Sequence, residues 1–315
     1  MSRLRKYYRK DDVLLITSRT EEGSPFAPVK YINQIIESSI AKAQEKYPVN
    51  IICYCFSVNH FHKLIQVIDP ETVPEFIRYI KQETAHAINR LLGRRSKTVW
   101  KKGYDSPVIL DSEEVLNRIA YVLLNPLKDK LTPSMEAYKG VSSYNLLMNK
   151  QEIKKCIGIT RDSIPQLQYP HNPKREEQEV SQLLKSSNLH ETSIVLSPYS
   201  WKSAFANTKD LSDEQVRVLI LNRLKRESDK LEKRKSPQEC QSLLKQYLPK
   251  THGKRMICLS SRADLRIEFI STYKYVSRIA KDMFAAAKKS FEPLVNFPPG
   301  LFMPSLRRSQ NILRI

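Results

Sequence analysis

Two histidines with a single residue between them are the part of this sequence best suited to chemistry. They are His60 and His62, in the run Asn59-His60-Phe61-His62. Side chains alternate along a β-strand, so both imidazoles would lie on one face and Phe61 on the other. Two imidazoles on one face supply half of a site for a divalent metal ion. The same spacing also arises by chance in strands that bind nothing, so the pair alone leaves both interpretations open.

The residues after the pair exclude two common classes of His-x-His enzyme. Leu64 and Ile65 stand where a metallo-hydrolase of the His-x-His-x-Asp-His type needs an aspartate and a histidine. Leu64 also breaks the His-x-His-x-His pattern of nucleotide hydrolases. The chain has only 7 glycines, and no Gly-rich loop of the P-loop or dinucleotide-binding type can be written. Enzymes that bind a nucleotide through either of those loops are therefore excluded.

A tyrosine and an asparagine on a second element are suited to complete such a site. Asp111 is followed at the third position by Glu114, which is typical of a helix N-terminus. On a helical wheel of about 100° per residue, Tyr121 lies opposite the apolar side of this helix, and Asn125 lies beside it one turn later. The phenol is a potential nucleophile and the amide oxygen a potential metal ligand. The alternative is a tyrosine that faces solvent and an asparagine that ends the helix before Pro126.

The elements that must position these residues alternate between strand and helix in the first half of the chain. The apolar patterns predict strands at 13–17, 50–56, 61–68, 98–100 and 108–110. They predict helices at 28–46, 69–92 and 111–125. Strand 50–56 is apolar on both faces, which indicates a central position in the sheet. Helices that flank mostly antiparallel strands indicate an α+β fold with a ferredoxin-like (RRM-like) sheet.

Four motifs in a fixed order resemble those of the single-tyrosine HUH transposases, and most closely those of the REP-associated tyrosine transposases. The motifs are His60-Phe61-His62, residues 100–104 with 111–114, residues 121–126 and residues 138–144. The resemblance covers residues 5–147. The chain departs from the family pattern at Val58, Lys63 and Gln66 and in the run 128–131. None of these departures removes a group that the chemistry needs.

The resemblance implies an HUH endonuclease fold and a defined reaction. His60, His62 and Asn125 would bind one Mg²⁺ or Mn²⁺ ion, and Tyr121 would attack a DNA phosphate to form a 5′-phosphotyrosine and release a 3′-OH. The substrate would be single-stranded DNA with a hairpin beside the cut, and the protein a monomer or a homodimer. One alternative is a catalytically idle, sequence-specific DNA-binding regulator derived from a transposase. Another is a metal-dependent RNA-processing enzyme, which has no use for Tyr121.

The charge of the chain favours a polyanionic partner. It has 53 Lys and Arg residues against 33 Asp and Glu, a formal net charge of +20, which is typical of proteins that bind nucleic acid. The alternative is a charge that serves solubility alone. The candidate DNA contacts lie in the N-terminal segment, around position 100 and on a predicted C-terminal helix. They are Arg3, Arg5, Lys6, Arg9, Lys10, Arg94, Arg95, Lys101, Lys102, Lys274, Arg278 and Lys281.

The character of the sequence changes after the last of the four motifs. We expect a catalytic domain at 1–150, a linker and irregular segment at 151–210, and a basic helical region at 211–315 that is a candidate for DNA binding. Helices are predicted at 211–235, from 236 onward and at 264–290. No apolar run approaches the ~20 residues of a membrane span, and the 5 cysteines do not suggest a disulfide framework. We therefore expect a cytoplasmic, nucleoid-associated protein with no membrane contact.

Overall fold

The computed structural model describes residues 6–21, 29–95, 97–166, 178, 180, 182, 190–233, 256–290 and 297–302. The strands are β1 (Val13–Arg19), β2 (Asn50–Phe56), β3 (His60–Gln66), β4 (Val108–Ile109), β5 (Ile153–Ile157), β6 (Glu191–Val195) and β7 (Cys258–Leu259). The α-helices are α1 (Lys30–Lys46), α2 (Thr72–Leu91), α3 (Ser112–Leu123), α4 (Asn125–Lys128), α5 (Tyr144–Met148), α6 (Asp213–Lys233) and α7 (Ala263–Ser290). Within this described part, no helix has both the length and the apolar composition that crossing a membrane requires.

Five of these strands form one sheet, in the order β2-β3-β1-β4-β7. The first four strands of the chain pair antiparallel with one another, and β7 pairs with β4 in parallel. With α1 between β1 and β2 and α2 between β3 and β4, this order is that of a ferredoxin-like fold. The predicted α+β class, with a mostly antiparallel sheet and flanking helices, is therefore confirmed.

Alternating side chains divide the sheet between two apolar cores. On one face Leu14, Ile16 and Ile65 pack against α1 and α2. On the other face Leu15 and Leu64 pack against α3. All five of these side chains are buried. Because α3 lies on the face that Leu64 occupies, it also lies on the face that the strand alternation gives to His60 and His62.

Strand β2 is an edge strand of this sheet, and its predicted central position was wrong. Its open side is nevertheless covered by connecting segments. Phe56 N donates to Val141 O at 2.8 Å, and Ser197 N donates to Ile51 O at 2.8 Å. Helices cover both faces of the strand, and an apolar sequence cannot distinguish this enclosure from a neighbouring strand on each side.

The C-terminal half packs onto the N-terminal half. Helix α6 lies along α3, and Val216, Ile220 and Leu224 share the apolar core of that face. Strands β5 and β6 form an antiparallel pair that packs on α1. The segment 151–210, expected to be a linker and irregular, thus contains two strands in its described part. The helix predicted from position 236 lies outside the described residues.

Candidate active site

His60 and His62 lie side by side at the start of β3, with their ring centroids 4.8 Å apart. Each ring is held through its Nδ1 atom. His62 Nδ1 is 2.8 Å from Thr17 Oγ1 on the neighbouring strand β1, and His60 Nδ1 is 2.8 Å from Asn59 Oδ1. These contacts fix the orientation of both rings, and they leave both Nε2 atoms to face the same cleft.

Asn125, the first residue of α4, brings an amide oxygen to the histidines. Its Oδ1 accepts a hydrogen bond from Ser57 Oγ at 2.7 Å and lies 3.1 Å from His60 Nε2. Asn59 Oδ1 and Asn125 Oδ1 can both only accept, so a neutral His60 ring, which carries one proton, donates to one of them and turns a lone pair toward the other. With the proton on Nδ1, the lone pair of Nε2 lies beside Asn125 Oδ1, and these two atoms together are donors for a cation. The donor set therefore fits a divalent metal ion.

An amide oxygen lies closer to His60 Nε2 than the carboxylate of Asp129 does. The described residues include no cluster of three or more His, Cys, Asp or Glu side chains that could bind a metal ion. The amide of Asn125 is therefore the third donor that the geometry offers. Asp129 Oδ2 lies farther away, 3.9 Å from His60 Nε2.

Burial keeps both imidazoles neutral at physiological pH. Burial, together with the positive charge of Arg19, lowers the pKa of His60 to about 4. Burial and the neighbouring His60 ring lower the pKa of His62 well below its usual value. A neutral imidazole has a free lone pair, which is the form that binds metal ions. The two rings are therefore ready to act as ligands without first losing a proton.

Tyr121 projects from α3 onto the histidine pair. Its hydroxyl is 3.4 Å from His62 Nε2, and the two rings meet edge to face with centroids 4.9 Å apart. Burial and the negative charge of Asp129 raise the pKa of the Tyr121 phenol, while Arg19 and Arg118 act in the opposite direction. At neutral pH the phenol is therefore protonated, and a further positive charge beside it would favour the phenolate.

Basic side chains surround the phenol and the open mouth of the site. Lys128 Nζ lies 4.7 Å from the centroid of the Tyr121 ring, and the Arg118 guanidinium lies 5.7 Å from it. The cleft has a volume of about 260 Å³, and Arg19, Tyr121 and Lys128 are among its lining residues. Asp129 also lines the cleft, but Arg19 and Lys128 leave an excess of positive charge there, which suits an anion such as a phosphate group.

Helix α3, which carries Tyr121, is held in place by contacts within the same chain. Asp111 Oδ1 accepts from Glu114 N at 2.7 Å and caps the start of α3, as predicted. The Arg223 guanidinium, from α6, donates to Asn117 and to Glu113 on α3. Tyr121 thus meets His62 within one chain, and no second copy is needed to complete the constellation.

From the sequence, Tyr121, His60, His62 and Asn125 were predicted to form one site. The structure brings them together: His60, Tyr121 and Asn125 line one cleft, and His62 is buried beside them, with its Nε2 3.4 Å from the Tyr121 hydroxyl. The sequence did not reveal four other residues that surround them, namely Thr17, Arg19, Ser57 and Asp129. A signal existed for two of these. In the antiparallel pairing of β1 with β3, Thr17 stands opposite His62 and Arg19 opposite His60. That register needs a known strand order, which a single sequence does not provide.

The N-terminal basic residues differ in what they contact. Lys6 Nζ donates to Tyr104 O at 3.0 Å and lies over the Tyr104 ring, and Arg9 pairs with Asp12. Lys10 is exposed. The adjacent Tyr8 is buried, so its ring is not exposed to stack on a base. Arg3 and Arg5 lie outside the described residues.

The remaining basic residues lie in two other places. Arg94 and Arg95 are exposed just after α2, and Lys101 and Lys102 follow on the same connection. The three candidates on α7 share an exposed side of that helix, and they are Lys274, Arg278 and Lys281.

Comparisons with known proteins identify relatives of this chain. A family model described as "Transposase IS200 like" matches residues 27–123. A Haemophilus influenzae protein named as a REP-associated tyrosine transposase is 21% identical over 137 residues, which are 41% of this chain and 77% of that protein. A solved structure of a REP-associated tyrosine transposase bound to a REP hairpin covers 48% of this chain and 87% of that chain, with 18% identity and a TM-score of 0.40. The family match over residues 27–123 and the curated relative confirm the resemblance of this chain to the tyrosine transposases.

Proposed function

We propose that this protein cuts and rejoins single-stranded DNA, with Tyr121 as the nucleophile and a 5′-phosphotyrosine as the intermediate. The observation that carries the proposal is the 3.4 Å between the Tyr121 hydroxyl and His62 Nε2, which belong to residues 59 positions apart. The neutral histidine pair and the basic cleft around the phenol add support. The match to the IS200-like transposases supports the same class of reaction.

His60, His62 and Asn125 are the residues that would hold one Mg²⁺ or Mn²⁺ ion. Bound there, the ion would withdraw negative charge from the scissile phosphate and favour the phenolate form of Tyr121. The amide oxygen of Asn125 suits either ion, whereas imidazole nitrogens are more typical ligands of later transition metals, so the choice of Mg²⁺ or Mn²⁺ rests on the resemblance. Thr17 and Asn59 support the proposal, because they hold each ring with its Nε2 atom toward the cleft.

The proposed step exchanges one phosphate ester for another. Tyr121 Oη forms a bond to phosphorus, the bond from phosphorus to the 3′ oxygen breaks, and the phenol proton passes to solvent. The released oxygen takes up a proton and becomes a 3′-OH. Arg19 and Lys128 would offset the charge that builds up on the phosphate. Because the phosphotyrosine conserves an ester bond, attack by a 3′-OH can rejoin the strand without ATP.

The proposed partner is single-stranded DNA that carries a hairpin, as the resemblance implies. A strand must be unpaired for one of its phosphates to enter a cleft between a sheet and a helix. The site needs no second copy of the chain, since Tyr121 and His62 meet within one chain. We therefore propose that a monomer is sufficient for cleavage.

The experiment is an adduct assay on a denaturing gel. The protein is incubated with Mn²⁺ and a pool of labelled single-stranded oligonucleotides, each with one short hairpin. We expect a covalent adduct with the unaltered protein, none with Tyr121→Phe or His60→Ala, and an undiminished one with the distant control Tyr47→Phe. Cleavage without an adduct would favour a hydrolytic nuclease, and binding without cleavage would favour the idle regulator.

A further inference from the structure

A second basic cleft lies at the C-terminal end of α2. It has a volume of about 550 Å³, and four arginines contribute to its lining. We call it the arginine cleft, and its arginines are Arg90, Arg94, Arg95 and Arg161. Asp162 is the one acidic residue among its described lining residues. So many guanidinium groups in one cleft repel one another, and the excess positive charge calls for an anion.

Two of the four arginines build the wall of the arginine cleft. Arg90 donates to the main-chain carbonyl oxygen of Ile164, and Arg161 forms an ion pair with Glu83. Both groups are committed to contacts that join α2 to the segment after β5. These contacts give the cleft a fixed shape, and the other two arginines are the ones available to bind a ligand.

Arg94 and Arg95 are the residues available to a ligand. Both are exposed, and no acidic side chain in the described part of the chain forms an ion pair with either. The position of these two residues follows from Gly93, whose φ of +60° ends the helix and reverses the chain. A Cβ atom at Gly93 would lie 2.5 Å from Gln166 Nε2, the end of an exposed side chain that can move aside, so the positive φ is the main reason for glycine at this turn.

Helix stabilisation is the simplest alternative explanation for these arginines. Cations near a helix C-terminus interact favourably with the helix dipole. Arg90 lies in the last turn of α2 and can supply that effect. Arg94 and Arg95 follow the end of the helix and face solvent. Their loss should therefore change ligand binding more than stability.

Main-chain contacts link the arginine cleft to the catalytic cleft along one end of the sheet. Glu21 N donates to Val99 O at 2.8 Å, and Lys101 N donates to Arg19 O at 2.9 Å. The connection that follows Arg94 and Arg95 thus runs beside the end of β1. Arg19 lines the catalytic cleft, so basic residues continue from one cleft to the other.

We propose that the arginine cleft binds backbone phosphates of the DNA strand outside the cleavage site. The inference rests on the proposed function, because the strand that it binds is the one whose scissile phosphate lies beside Tyr121. Each guanidinium presents a planar set of donors that matches a phosphate group. Contacts of this kind fix the position of a strand without reading its bases.

The test compares the salt dependence of DNA binding between variants. Fluorescence anisotropy with a labelled single-stranded oligothymidylate is measured over a range of salt concentrations, without metal ion. Each phosphate contact in a single strand contributes about 0.7 to the slope of log K against log salt. The double variant Arg94→Ala/Arg95→Ala should reduce the steepness of that slope by about 1.4, so that binding depends less on salt. Arg94→Lys/Arg95→Lys, which keeps both charges, should retain most of it.

The matched control removes two adjacent exposed basic residues elsewhere, with Lys225→Ala/Arg226→Ala on α6. A double alanine variant at 94 and 95 whose slope equals that of this control would overturn the inference. So would a lower melting temperature of that variant with unchanged binding, which is the result expected from helix stabilisation alone. If the unaltered protein forms no adduct but the slopes differ as expected, the proposed catalysis fails and the arginine cleft stands.

Discussion

Thr17 should control metal binding although it touches neither metal nor substrate. Its hydroxyl oxygen lies 2.8 Å from His62 Nδ1. Because His62 is only 3% exposed, water cannot readily replace the Thr17 hydroxyl at this nitrogen. Thr17→Val keeps the shape and the β-branch of the side chain and removes only the hydroxyl. Losing such a support for a ligand typically costs about 10- to 100-fold in metal affinity. We expect a loss of that size for Mn²⁺.

The assay is a Mn²⁺ titration of the free protein by electron paramagnetic resonance, followed by adduct formation at increasing Mn²⁺ concentration. Thr17→Val should shift both curves to higher Mn²⁺ by the same factor and reach a near-normal plateau, because the nucleophile is intact. Thr17→Ser keeps the hydroxyl and is the matched control, with near-normal affinity. If Thr17→Val binds Mn²⁺ as tightly as the unaltered protein while His60→Ala does not bind it, the reasoning about Thr17 is refuted.

Three further predictions concern the brace on the tyrosine helix, the histidine pair and the core. Arg223→Ala removes hydrogen bonds to Asn117 and Glu113. This variant should lower the unfolding free energy by about 1–2 kcal/mol and slow adduct formation. The control Arg226→Ala, at an exposed neighbouring position, should change neither quantity. The pKa of His60 falls from 6.5 to about 4 on folding, so the unfolded state binds more protons than the folded state between these pH values. The melting temperature should therefore fall as the pH drops from about 6.5 toward 4. His60→Gln should make this fall in melting temperature smaller. Lys63 is fully buried, and its Nζ has no hydrogen-bond partner among the described residues. Lys63→Met should therefore raise the unfolding free energy, measured by urea denaturation, by about 1–3 kcal/mol. A lower unfolding free energy would contradict this.

The sequence determined the face on which each candidate residue lies, but not the distances between them. Strand alternation placed His60 and His62 together, and the helical wheel turned Tyr121 away from the apolar side of its own helix. Both inferences are local and need no knowledge of the rest of the fold. The meeting of Tyr121 with His62 requires α3 to cross the right face of the sheet, and only the resemblance to a family suggested that.

The residues that support the site could not be predicted from the sequence, for a related reason. Thr17 and Ser57 contact His62 and Asn125 across long stretches of chain, and neither carries a local signal. The brace formed by α6 is a similar case. The helix itself was predicted, and Ser212 and Gln215 at its start exchange two hydrogen bonds, but nothing in its pattern indicates that it packs on α3. Lys63 was noted as a departure from the family pattern, yet its complete burial depends on the aromatic rings packed around it.

The most direct test of the account is the identity of the residue that carries the DNA. The adduct formed with Mn²⁺ and a hairpin oligonucleotide is digested with protease and nuclease, and the peptide that retains a nucleotide is sequenced by mass spectrometry. The account predicts one modified peptide, with a 5′-phosphate ester on the oxygen of Tyr121. A nucleotide attached to any other residue would contradict it.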